Sequence, residues 1–211
     1  MLEQYFEKDK LELGIDEVGR GCLFGPVVIA SVIWLDIDPN PELEIKDSKK
    51  CSFKKIKELS EYIKNNSISY NIQFKDNNYI DKNNILESTL DGMRECVDNT
   101  IKNINIDTIL VDGNRFHPYL DYNGDNIPHV CVIGGDNTYK SIAAASILAK
   151  EYRDEYILNL VKDNPELEKY DILNNKGYGT KKHIEAIKKY GITKWHRNTF
   201  GICKKYSIQN Q

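Results

Sequence analysis

Gly14-Ile15-Asp16-Glu17-Val18-Gly19-Arg20-Gly21-Cys22-Leu23-Phe24-Gly25-Pro26 is the stretch that decides how this chain reads. The alternation of Leu11, Leu13 and Ile15 predicts a strand over 11–16 that runs into two adjacent carboxylates, Asp16 and Glu17. Acids at the end of a buried strand are costly unless something compensates them, and a cation is the usual compensation. The Gly19-Arg20-Gly21 turn is permissive enough to bring backbone and one arginine against a ligand. Past it, the run 27–34 is apolar on both faces, the pattern of a central strand.

Working outward, residues 52–64 show helical spacing (Phe53, Ile56, Leu59, Ile63) behind a Ser52 N-cap. Residues 67–74 alternate and predict a third strand, hairpin-like with the first two. Leu86, Leu90, Met93, Val97 and Ile101 mark one amphipathic helix over 81–103. Two short buried strands follow, 106–111 ending at Asp112-Gly113 and 129–133 ending at Gly134-Gly135-Asp136. A helix over 138–161 carries Ser141-Ile142-Ala143-Ala144-Ala145-Ser146, small side chains suited to close packing on a sheet. Pro165 ends that region, and a polar, basic helix covers 181–190. The order of strands and helices predicts an α/β layer architecture with a mixed sheet, without internal repeats.

The chain has 211 residues, 40% hydrophobic and 29% charged, which fits one sizeable globular domain with a small appendage. No stretch is apolar for the length a membrane span needs, and the N-terminus lacks the apolar core of a signal peptide. Five cysteines without a Cys-x-x-Cys pair read as buried or incidental thiols in a reducing compartment, so the expected location is the cytoplasm. Net charge is −3, but residues 171–211 hold nine Lys/Arg against Asp171 and Glu185, a local +7. Residues 46–57 hold six lysines and one aspartate. Two basic patches on an acidic body fit a surface for a nucleic-acid backbone; each alone reads more readily as a solvated helix face.

Three strand ends therefore carry acids: Asp16-Glu17, Asp112 and Asp136. Ligands in open α/β sheets gather at such ends, and converging carboxylates call for hard divalent cations held by oxygen. Mg2+ favours a few carboxylates plus substrate phosphates, and two ions clamp the attacking and leaving oxygens of a phosphodiester. The four histidines and the cysteines show no zinc spacing. Any one of these aspartates alone reads as a loop carboxylate or a helix cap, Asp136 especially; only recurrence at three strand ends favours the metal reading. A dinucleotide fingerprint in Gly19-x-Gly21-x-x-x-Gly25 fails on spacing, and strand rather than helix follows it.

Segment 14–28, Asp47-Ser48-Lys49-Lys50, Asn84 to Thr89, Asp112-Gly113, Gly135-Asp136 through the helix to Lys150, Arg153-Asp154 and Lys176-Gly177-Tyr178-Gly179-Thr180 together resemble bacterial ribonuclease HII. The likeness is in order and covers about residues 11–202. It implies a ribonuclease H-like three-layer α/β fold with a central mixed sheet, as a catalytic core over 1–165, and a basic helical C-terminal region over 166–211 that helps bind substrate. It implies an endonuclease dependent on Mg2+ or Mn2+, with two ions when substrate is bound, acting on RNA–DNA hybrids and on single ribonucleotides in duplex DNA, as in ribonucleotide excision repair. Cleavage 5′ of the ribonucleotide leaves 3′-hydroxyl and 5′-phosphate ends. By the same resemblance Asp16, Glu17, Asp112 and Asp136 are the catalytic, metal-holding quartet. Gly19, Arg20 and Gly21 read the ribonucleotide, Tyr178 packs on the following deoxyribose, and Lys49 and Lys50 hold phosphates. A monomer without membrane contact is expected. Cys22, Phe24 and Gly135 depart from the family pattern, in which Pro, a small residue and Lys are usual. His183 reads as a structural or phosphate-side residue rather than a general base, and a binder that keeps the surface without the chemistry is disfavoured by the intact quartet.

Overall fold

The computed structural model describes residues 2–34, 45 and 52–206. β1 (Glu12–Val18), β2 (Val27–Ile33), β3 (Ser69–Lys75), β4 (Thr108–Asp112) and β7 (His129–Val132) form one sheet in the order β3-β2-β1-β4-β7. β1–β2 and β2–β3 pair antiparallel, whereas β1–β4 and β4–β7 pair parallel, so the sheet is mixed. β5 (Tyr119–Leu120) and β6 (Asn126–Ile127) make a separate small hairpin.

The period-2 pattern sorts side chains to two faces. Leu13 and Ile15 of β1 and Val27, Ile29 and Ile33 of β2 pack on Met93, Cys96 and Val97 of α3 (Ile85–Ile101). On the other face, Val28, Ala30 and Val32 meet α4 (Lys140–Asp163), with Ile56, Leu59 and Ile63 of α1 (Phe53–Asn66) beyond it. Each fully buried aliphatic side chain contributes about 1.5–3 kcal/mol. Sandwiched between sheet and α1, α4 is buried on all sides from Ser141 to Ala149, which explains its run of small residues. Gly14 is part of that fit: a Cβ there would lie 2.4 Å from the Ser141 carbonyl carbon. β2 is buried at every position and directly follows the glycine turn, as its sequence predicts.

Ser52 caps α1 by accepting from the Lys55 amide. β3 is antiparallel to β2 as expected, with α1 between the two in the chain. Three expectations need correction. The helix over 81–103 is two helices, α2 (Asn77–Asn83) and α3, because Asn84 takes φ 64 and caps α3 through the Leu86 and Glu87 amides. The segment 129–133 is a half-buried edge strand, and Ile133 is 83% exposed. Arg197, counted above in the basic C-terminal patch, is fully buried.

The C-terminal region has its own small core. Leu167, Tyr170, Ile172, Ala186, Ile187 and Cys203 pack with Ile157 and Val161 of α4 and with Leu23 and Phe24 of the glycine turn. α5 (Ile172–Asn175) leads into the loop bearing Tyr178, and α6 (Lys181–Tyr190) starts at a Thr180 cap. No helix among the described residues is long and apolar enough to cross a membrane.

Candidate active site

Asp16 and Glu17 are consecutive on β1 and so point to opposite faces of the sheet end. β4 lies beside β1 and brings Asp112 alongside. These three carboxylates line one open cleft of about 440 Å³ with Gly19, Arg20, Gly21, Ser146, Lys150 and Tyr178. Asp136 is not part of that lining; it lies in a 3-10 turn, Gly135–Asn137, only 3% exposed and accepting at 2.7 Å from the Asn137 side-chain amide. Its chain neighbour Gly135 donates its N–H to Asp112 Oδ1 at 2.7 Å, tying that turn to the β4 end. Asp136 does not cap α4, whose first position follows Tyr139 with no side-chain cap.

The electrostatics are those of crowded acids. Burial, then the neighbouring Glu17 and Asp112, hold the Asp16 carboxyl well above its ordinary range, against an opposing hydrogen bond from Ser146. Burial pushes Glu17 up to about 7, although Arg20 at 3.1 Å pulls the other way. Glu17 Oε2 is buried and has no hydrogen-bond partner among the described residues. Among the described residues no three His, Cys, Asp or Glu groups already form a closed cation cage. Mutually repelling carboxylates and an orphaned carboxylate oxygen nevertheless match a hard cation, which completes its shell with water and substrate oxygens.

Tyr178 is 45% exposed, and a Cβ placed on Gly21 would be 3.9 Å from its ring, so turn and ring adjoin in the cleft. Below, two buried histidines hold the Tyr178 backbone. The Thr193 amide donates to His196 Nδ1 at 2.9 Å, which puts the His196 proton on Nε2. That Nε2 lies 3.1 Å from His183 Nε2, so His183 carries its proton on Nδ1 and donates to the Tyr178 carbonyl at 2.9 Å. Both rings are therefore neutral, and His183 is structural; burial lowers its pKa and drives that of His196 down to about 3.

Sequence reasoning missed Ser146, Lys150 and His196. Ser146 and Lys150 follow Ile142 at i+4 steps on α4, a signal the all-small pattern masked. Lys49 and Lys50 lie outside the described residues. Of the departures, Phe24 is buried edge-on against His196 with ring centroids 5.1 Å apart. At Gly135 a Cβ would lie 2.6 Å from Ile142 Cδ1, so a side chain there needs the end of Ile142 to shift.

The sequence profile described as Ribonuclease HII matches residues 13–210. Ribonuclease HII of Parabacteroides distasonis is 44% identical over 202 residues, covering 96% of both chains. That of Christiangramia forsetii is 44% identical over 189 residues, covering 90% of this chain and 89% of the relative. Among solved structures, the PCNA:RNase HII complex from Archaeoglobus fulgidus aligns with TM-score 0.71 at 24% identity, over 95% of this chain and 100% of that one. Bst-RNase HIII in complex with Mn2+ aligns with TM-score 0.67 at 20% identity, over 96% and 70%. These structures share the fold of the five-stranded mixed sheet. The chain belongs to the ribonuclease HII family and is an endonuclease of the ribonuclease H type.

Proposed function

We propose that this enzyme hydrolyses the RNA strand of RNA–DNA hybrids and cuts duplex DNA 5′ of a single embedded ribonucleotide. The observation that carries this reading is the shared cleft: Asp16, Glu17 and Asp112 face the Gly19-Arg20-Gly21 turn and Tyr178 across one cavity. Asp16, Glu17, Asp112 and Asp136 would hold Mg2+ or Mn2+. Two bound ions would activate the attacking water and stabilise the departing 3′-oxygen. Water attacks phosphorus, the bond from phosphorus to the upstream 3′-oxygen breaks, and 3′-hydroxyl and 5′-phosphate ends result.

The chain's own groups choose where that happens. Only the 2′-hydroxyl distinguishes a ribonucleotide, and backbone amides of a glycine turn approach it closely. Tyr178 packed on the next sugar excludes a second hydroxyl by steric conflict. The lysines of region 166–211, with Lys49 and Lys50, bind phosphates and make affinity salt-dependent.

The test is incubation with a DNA duplex carrying one ribonucleotide, with and without Mg2+ or Mn2+, beside an all-RNA duplex. A metal-dependent nick on the 5′ side of the ribonucleotide, and little cutting of all-RNA duplex, is expected. No metal-dependent nick, or equal cutting of both, overturns the reading.

A further inference from the structure

Two arginines lie beneath the glycine turn, and neither has a part in the chemistry above. Arg153 and Arg197 are the largest fully buried side chains among the described residues. Each meets main-chain carbonyls. Arg197 donates from Nη2 to Gly19 O at 2.8 Å, from Nη1 to Arg20 O at 2.8 Å and from Nε to Gly25 O at 3.0 Å. Arg153 donates from Nε to Pro26 O at 3.0 Å, from Nη2 to Phe24 O at 3.1 Å and from Nη1 to Lys176 O at 2.8 Å. Arg197 thus closes the turn on itself, joining its first residues to its last. Arg153 joins the end of the turn to the loop that carries Tyr178.

Burying two like charges this way costs stability, and apolar packing would cost less. What a guanidinium adds is geometry, a planar fork of donors that fixes several acceptors at once. The peptide plane turns this into a functional consequence. In a trans peptide the C=O of one residue and the N–H of the next point in opposite directions, and no peptide among the described residues is cis. Pulling Gly19 O and Arg20 O inward onto Arg197 therefore turns the Arg20 and Gly21 amides the other way, towards the cleft. Neither amide donates to a backbone acceptor among the described residues. Gly19 permits this with φ 99, and a Cβ on it would lie 2.2 Å from Arg153 Nε.

We propose that Arg197 is the positioning residue of the turn: it aims the Arg20 and Gly21 amides at the ribose 2′-hydroxyl oxygen, while Arg153 sets the distance from that turn to Tyr178. This rests on the junction-reading function proposed above. The test compares kcat and KM of wild type, Arg197→Lys and Arg197→Ala on a duplex with one ribonucleotide, with melting curves for each. Lysine keeps the buried charge but loses the fork, so kcat/KM should fall about 10- to 100-fold, mostly in kcat. KM, dominated by phosphate contacts, should move little. Guanidinium ion at low concentration should restore kcat to Arg197→Ala, whereas urea or ammonium should not. A folded Arg197→Lys enzyme with wild-type kcat and KM overturns the proposal, as does a folded Arg197→Ala enzyme that guanidinium does not rescue.

If the variants do not fold, the wild type still decides. Its Arg20 and Gly21 amide resonances should shift more with the ribonucleotide duplex than with all-DNA duplex, and equal shifts overturn the inference. A wild type that ignores the ribonucleotide defeats the functional reading instead, which separates the two failures.

Discussion

The site has two layers of like charge, and they are treated oppositely. At the sheet end Asp16, Glu17 and Asp112 crowd one another, and Glu17 Oε2 has no hydrogen-bond partner among the described residues. Beneath the neighbouring turn, Arg153 and Arg197 are fully buried, and each donates to three carbonyls. The anions keep repelling one another despite Arg20, Ser146 and the Gly135 amide, whereas the cations are satisfied by the backbone whose shape they fix. The charges at the cleft are only partly compensated, whereas those beneath the turn have a full set of acceptors.

The comparison breaks most sharply at Asp16. Asp16→Asn should abolish metal-dependent cleavage while preserving duplex binding, and full activity would refute its assignment. Because repulsion and burial are relieved, the variant should also melt higher near pH 7 by a few degrees, about 2–4 °C for each kcal/mol gained. Next in size is Gly19→Ala, which tests the cationic layer. The left-handed backbone alone costs about 1–2 kcal/mol, and the added methyl group collides with Arg153. A lowered Tm with loss of ribonucleotide preference is expected, and a wild-type melting curve would show that Arg153 does not hold Gly19 tightly.

Tyr178→Ala removes a half-exposed ring supported from below. It should cost little stability but weaken the preference for an RNA–DNA junction several-fold; unchanged selectivity would remove Tyr178 from the junction reading. The last effect concerns its support and shows only on acidification. His196 titrates near 6.5 when unfolded and is driven to about 3 when folded, so the unfolded chain binds more protons between those values. Its contribution is complete above about pH 6.5 and is lost on acidification towards pH 3, by up to about 1.4 kcal/mol per pH unit. Thermal melts of His196→Asn should therefore show a shallower acid limb than wild type.

The sheet and the acidic strand ends were legible because burial imposes period-2 patterning and carboxylates interrupt it at fixed places. The break at Asn84 was not, since apolar spacing runs through Ile85 and Leu86 and only backbone φ distinguishes two helices from one. Exposure of Ile133 depends on β7 lying at the sheet edge, a tertiary fact. Arg197 read as surface charge because composition assigns cations to solvent. Arg153 left a trace: it lies four residues before Ile157 and eight before Val161, on the buried stripe of α4. His183 and His196, on a helix and a distant loop, gave no local sign of their contact.

The contrast between repelling anions and satisfied cations is tested most directly by calorimetric titration of Mn2+ near pH 7, in buffers of different ionisation enthalpy. With Asp16 held well above its ordinary range and Glu17 at about 7, binding should release protons, and Asp16→Asn should weaken binding and reduce that release. Binding without proton release, and with equal affinity in Asp16→Asn, would contradict it.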